Sequence, residues 1–169
     1  MATTYEAIAT VEVGSGGAAS ISFTSIPADW TDLVVKLCLR GTASGDLRVY
    51  FNFNSAGLNA TSKLLYGFGD GTVGSTGYST GVAAFGMGAS NLTADTFGNL
   101  EVYIPNYAGS AYKSLSSDGV GESNDTSSGM GLMAVLWSNT AAITSIAITP
   151  PSGTFVQYST ATLYGIKNS

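Results

Sequence analysis

The chain contains no histidine, one cysteine and few charges, and these shortages remove most catalytic chemistry at once. Without histidine there is no Ser-His-Asp relay, no Cys-His pair and no imidazole-based zinc site. The lone Cys38 allows neither an internal disulfide nor a thiolate cluster, and it reads as a small, semi-buried strand residue rather than a reactive thiol. Charged residues make up 10% of the chain, against about 25% in an ordinary globular domain. The cations Lys36, Arg40, Arg48, Lys63, Lys113 and Lys167 are scattered singly, and the net charge is −5. Nothing here neutralises a phosphate backbone, so no nucleic-acid partner is expected. No run approaches the roughly 18 apolar residues of a spanning helix, so no membrane partner is expected either. The opening MATTYEAIATVEV has no basic start and no unbroken apolar stretch, which argues against a signal peptide.

What is present points to β structure. Apolar residues reach 44% over 169 residues, enough for one domain spanning 1–169 with a sizeable core. With so few charges, the surface must be built from Ser, Thr, Asn and Gly, while Val, Ile, Thr and Tyr favour strands. The segment Ile21–Leu39 carries the clearest pattern. Leu33, Val35, Leu37 and Leu39 alternate with Val34, Lys36, Cys38 and Arg40, the period of a strand with one face in a core. Ile21-Ser-Phe23 alternates too. Between them Pro27 stops a ladder, and Asp29 and Asp32 can turn the chain by accepting from nearby amides.

Further strands are expected at Tyr5–Val13, Leu47–Asn54, Lys63–Phe68, Val82–Gly88, Gly98–Ile104, from Tyr112, at Gly131–Trp137, Ile143–Ile148 and Thr160–Ile166. In Tyr5–Val13, Tyr5, Ala7, Ala9, Val11 and Val13 share one face. Gly14-Ser-Gly-Gly17 precedes a strand, not a helix, so it reads as a turn and not a phosphate cradle; Gly67-Phe-Gly-Asp-Gly71 likewise lacks the helix and lysine of a P-loop. Gly71–Gly81 and Asp118–Gly129 read as long polar loops, and Gly131–Trp137 as a buried run. The core is expected to gather Leu33, Val35, Leu37, Val49, Phe51, Phe53, Val102, Ile104, Ile146 and Leu163. Short strands at this spacing predict an all-β, antiparallel two-sheet sandwich, with a jelly roll as first choice and an immunoglobulin-like sandwich as second.

Three phrases, ISFTSIPADWTDLVVKL, LEVYIPNYAGSAYKSL and LWSNTAAITSIAITPPSGTFVQYSTATLYGIK, resemble a recurrent β module among the structural proteins of tailed bacteriophages. The similarity spans most of the chain and is weakest in its centre. It implies a virion protein: a capsid decoration, or cement, protein, or a tail or fibre module. It also implies a homo-oligomer, a trimer, seated on the major capsid protein or another virion protein. It supplies no catalytic residue.

The residues themselves leave two function classes open. A non-enzymatic structural protein fits the missing catalytic groups, and no cofactor is expected. Asp118, Glu122 and Asp125, with Asn124, could in principle form a carboxylate pair or a calcium loop. Their spacing matches no EF-hand, and they read as a solvated acidic loop. A carbohydrate-binding module is the alternative. Its candidate face is Tyr50, Asn52, Asn54, Tyr78, Tyr107 and Tyr112, where rings and amides could stack on and hydrogen-bond a sugar; the same tyrosines could instead line subunit contacts. Asn59, Asn91 and Asn124 begin glycosylation-type triplets, as chance produces in so Ser/Thr-rich a chain.

Overall fold

The computed structural model describes residues 4–57 and 59–167. Among these residues are twelve strands: β1 Tyr5–Glu12, β2 Ile21–Phe23, β3 Asp32–Leu39, β4 Arg48–Phe53, β5 Ala60–Phe68, β6 Val73–Tyr78, β7 Val82–Phe85, β8 Gly98–Ile104, β9 Lys113–Gly121, β10 Gly129–Trp137, β11 Ile146–Thr149 and β12 Thr160–Ile166. No helix occurs among the described residues. Two antiparallel sheets form a sandwich. The large sheet runs β1-β12-β3-β8-β9-β10-β5-β6, and the small one β2-β11-β4-β7. Apart from the hairpins β5–β6, β8–β9 and β9–β10, every connection crosses from one sheet to the other.

The inward rows follow from period-two patterning. Leu33, Val35, Leu37 and Leu39 of β3, Val49, Phe51 and Phe53 of β4, and Leu100, Val102 and Ile104 of β8 all lie in one buried cluster with Ile146 and Leu163. All ten expected core residues are in it. Val34, on the other face of β3, is buried as well, because it lies in register between Tyr103 and Tyr164 near the middle of the large sheet. Trp137 packs against Phe53 with ring centroids 5.3 Å apart.

The sheets approach closely where β7 ends. A Cβ on Gly98 or Gly121 would lie within 3.0 Å of the Gly86 carbonyl, and one on Gly119 as close to that of Phe85. Glycine is therefore required there by contact between backbones, since real side chains never come that near.

Several expectations need correction. Gly71–Gly81 is not all loop, because Val73–Tyr78 forms edge strand β6. Gly69-Asp-Gly71 makes the tight turn into it: Gly71 has φ 87° and donates to the Phe68 carbonyl at 3.0 Å, while Phe68 N–H donates to Thr72 O at 2.8 Å. The Asp118–Gly129 loop shrinks, since β9 runs on to Gly121 and β10 begins at Gly129. Strand β11 starts at Ile146, later than the expected Ile143. In β1 a register shift between Ala7 and Ala9 breaks the parity, so Ile8 and Val11, not Ala7 and Ala9, pack on the core. Asp32 reaches far along the chain: its carboxylate accepts from Tyr103 Oη at 2.8 Å and from Asn106 N–H at 2.7 Å.

Two buried cations fasten loops without any carboxylate partner among the described residues. Arg40 donates to the carbonyls of Leu92, Thr93 and Thr96 at 3.2, 2.9 and 2.8 Å. Lys113, 1% exposed, donates from Nζ to the carbonyls of Gly109, Ala141 and Thr140 at 2.7, 2.6 and 3.2 Å. It also lies over the Trp137 ring, 5.6 Å from the centroid.

Candidate docking face

The outer face of the large sheet divides into two halves. Across β3, β8 and β12 it carries Lys36, Glu101, Asn99, Tyr103, Thr162 and Tyr164 in cross-strand rows. Lys36 pairs with Glu101 at 3.2 Å with both side chains largely in solvent. The half built from β9, β10, β5 and β6 is different. Alternation along β10 exposes Met130, Leu132, Ala134 and Leu136 while Gly131, Met133, Val135 and Trp137 turn inward. Register places Met130 between Val120 and Gly67, with Val73 beyond Gly67, and Leu132 between Asp118 and Leu65. Val73 is 80% exposed, Leu65 61%, Leu132 58% and Met130 56%.

These side chains are neighbours on one face, which separates them from the single exposed apolar residues found on any protein. Small residues hollow the surface between them. One groove of about 420 Å³ is lined by Gly67, Val73, Val120 and Met130 among others. A second, of about 430 Å³, lies between Lys63, Leu65, Ser116, Asp118 and Leu132. A third, of about 180 Å³, continues past Ser114 and Ala134 to Leu136. The three hollows follow β10 from end to end. An apolar, knobbed surface of this kind suits a protein partner better than a small polar ligand.

The residues singled out from the sequence are placed differently. Tyr50 and Tyr78 come together around Arg48, whose guanidinium carbon lies 5.9 and 5.5 Å from their ring centroids. Arg48 is itself held by Asp46, with Nε and Nη2 donating at 2.8 and 2.5 Å; this ion pair and hydrogen bond raise its pKa still further. Burial raises the Tyr78 pKa as well. Asn52 is half-buried, and its Oδ1 has no hydrogen-bond partner among the described residues. Asn54 is a staple: Oδ1 accepts from Thr144 N–H at 2.8 Å and Ser145 N–H at 3.1 Å, while Nδ2 donates to Ala142 O at 2.7 Å. Tyr107 is interior, its hydroxyl donating to the Pro27 carbonyl and accepting from Trp30 N–H at 3.4 Å, so its ring is not offered to a ligand. Tyr112 is exposed at the entry to β9. The six do not form one surface.

The acidic residues do not converge either. Asp118 is on β9 opposite Glu101, Glu122 accepts from Asn124 N–H at 2.5 Å, and Asp125 accepts from Ser127 N–H at 2.7 Å. Among the described residues no three His, Cys, Asp or Glu side chains could share a metal ion. Cys38 is exposed on the polar half, and partial burial raises its thiol pKa, the opposite of what an activated nucleophile needs.

Sequence reasoning missed Leu65, Val73, Val120, Met130, Leu132 and Leu136 as a surface. The signal was available in Met130–Trp137, which is apolar at both parities. That pattern ordinarily marks a strand covered on both sides, and here one side has no cover among the described residues. Neither a protein-family model nor a curated protein matches this chain.

Proposed function

We propose that this is a non-enzymatic structural protein of a virus particle, a capsid decoration protein, which docks through the apolar half of its large sheet. The observation that carries the reading is the contiguous row of Leu65, Val73, Val120, Met130 and Leu132 on a protein with so few charges. Apolar surface exposed in a cluster and left uncovered by the chain's own fold is the mark of a surface that meets a partner. The resemblance to tailed-phage modules names the partner class, the major capsid protein or another virion protein.

The strand pairing supports a jelly-roll reading of the sandwich. β2 pairs with β11, β4 with β7 and β5 with β6, while β3 pairs with β8 at the start of the β8-β9-β10 meander. A long antiparallel ribbon folded back at β5–β6 and wound across two sheets has this nested order, with the meander in place of one strand.

The test is co-sedimentation with particles assembled without this protein. Binding should persist in 1 M salt, where the screening length falls to about 3 Å and surface ion pairs weaken. The Met130→Lys, Leu132→Lys double variant should lose binding while keeping its fold, because both positions are solvent-facing. Equal binding by this variant, or release by salt, would overturn the docking assignment. The second reading, carbohydrate binding, is favoured only by Tyr50 and Tyr78 flanking Arg48. Retention of a glycan on an array, by a protein that binds no particle, would select it.

A further inference from the structure

The four sheet edges are not equally protected. β2 is three residues long, and β7 is four residues and wholly buried. β1 carries Glu6 and Glu12 and is broken by the shift at Ala7/Ala9, the usual devices against edge pairing. β6, Val73-Gly-Ser-Thr-Gly-Tyr78, has neither charge nor proline nor bulge, and it ends the large sheet with no further strand beside it among the described residues. Its free groups can be assigned. Phe68 N–H bonds to Thr72 O, so the bonded pairs with β5 fall at Tyr66/Gly74, Leu64/Thr76 and Ser62/Tyr78. Val73, Ser75 and Gly77 therefore turn their N–H and C=O groups outward. Lys63 lies over Gly77 on the outer face, not on the edge.

We propose that β6 pairs with β6 of a second copy, antiparallel about a two-fold axis at Ser75, joining two large sheets into one. The chemistry of the edge fits a second copy of the same strand. Outward amides and carbonyls at alternate residues are satisfied by a strand, and an uncharged strand pairs with itself without like-charge cost. Register is constrained too. Paired residues must face the same side, and only a centre at Ser75 matches all three outward residues: Val73 of one copy opposite Gly77 of the other, and Ser75 opposite Ser75. A trimer needs head-to-tail contacts, and the shielded edge β1 offers β6 no complement. This contact is independent of what the outer face docks against, and it is measured on purified protein alone.

Sedimentation velocity across a concentration series should show a monomer–dimer equilibrium. In a Cys38→Ser background, Ser75→Cys should oxidise to a disulfide-linked dimer, at least about tenfold more than Thr61→Cys, which is exposed on β5. Ser75→Pro removes only an outward N–H, so it should keep the β-type circular dichroism and weaken the dimer by at least about tenfold. Should the proline variant unfold, Ser75→Lys, which sets two like charges on the axis, decides in its place. A monomer at every concentration, a trimer, or a dimer indifferent to the Ser75 variant that folds would overturn the proposal.

Discussion

Replacing Lys113 by methionine keeps an unbranched stem of similar length and removes the ammonium from its carbonyl cage. Two effects compete. Taking a lysine out of water costs several kcal/mol, and no carboxylate offsets that here. Against it stand charge-assisted hydrogen bonds at 2.7, 2.6 and 3.2 Å and a cation–π contact with Trp137. Burial still lowers the Lys113 pKa, so the cage offsets the desolvation only in part, and the cost of removing the ammonium lies in the carbonyls left without a donor. In the variant, Thr140 and Ala141 are exposed residues whose carbonyls can find water, while the Gly109 carbonyl has less access. A net loss of about 1–3 kcal/mol, the cost of a carbonyl left without a donor, is expected, read as a lower urea midpoint at unchanged slope, followed by tryptophan fluorescence. Trp137 lies directly beneath the amine, so its emission should also change in the folded state. An equally stable or more stable variant would refute the reasoning, because it would mean that the cage carbonyls are satisfied without the ammonium.

Gly119→Ala should cost about 3 kcal/mol or more in the same assay, since its Cβ would press into the Phe85 carbonyl and force the sheets apart. Phe51→Ala, in the core beside Phe53, should lose about 3–5 kcal/mol. Asn52→Ala should stay within about 0.5 kcal/mol of the parent, because among the described residues its Oδ1 has no hydrogen bond to lose; equal losses at 51 and 52 would contradict the facing of β4. Stability should fall as pH rises above about 10. Burial raises the pKa of Tyr107, Tyr78 and Tyr5, and the hydrogen bond to Asp32 raises that of Tyr103. The folded protein thus holds protons that the unfolded chain releases, and stability is complete below the unfolded value and lost through the folded ones. Lys113, with its pKa lowered by burial, acts in the opposite sense just below the ordinary lysine value. Unfolding at pH 9 and pH 11, with tyrosinate absorbance recorded alongside, measures the balance.

The sequence by itself determined the all-β class, most strand positions and the inward rows of β3, β4 and β8. Those depend on period-two burial, a local pattern that survives without knowing the neighbours. Ends and parity at special sites were less legible. A glycine-rich tract such as Gly71–Gly81 carries no side-chain pattern, so β6 is a strand only because β5 supplies its ladder. The bulge at Ala7/Ala9 changes which residues of β1 face inward, and no residue type announces it. The candidate face was the least visible part. Whether an apolar residue on β10 is covered depends on how wide the opposite sheet is, and four strands cannot cover eight. The fate of Tyr107 and Lys113 was likewise decided by loops from distant parts of the chain that meet only after folding. Sequence sets what each strand can bury; the unequal widths of the two sheets decide what is left for a partner.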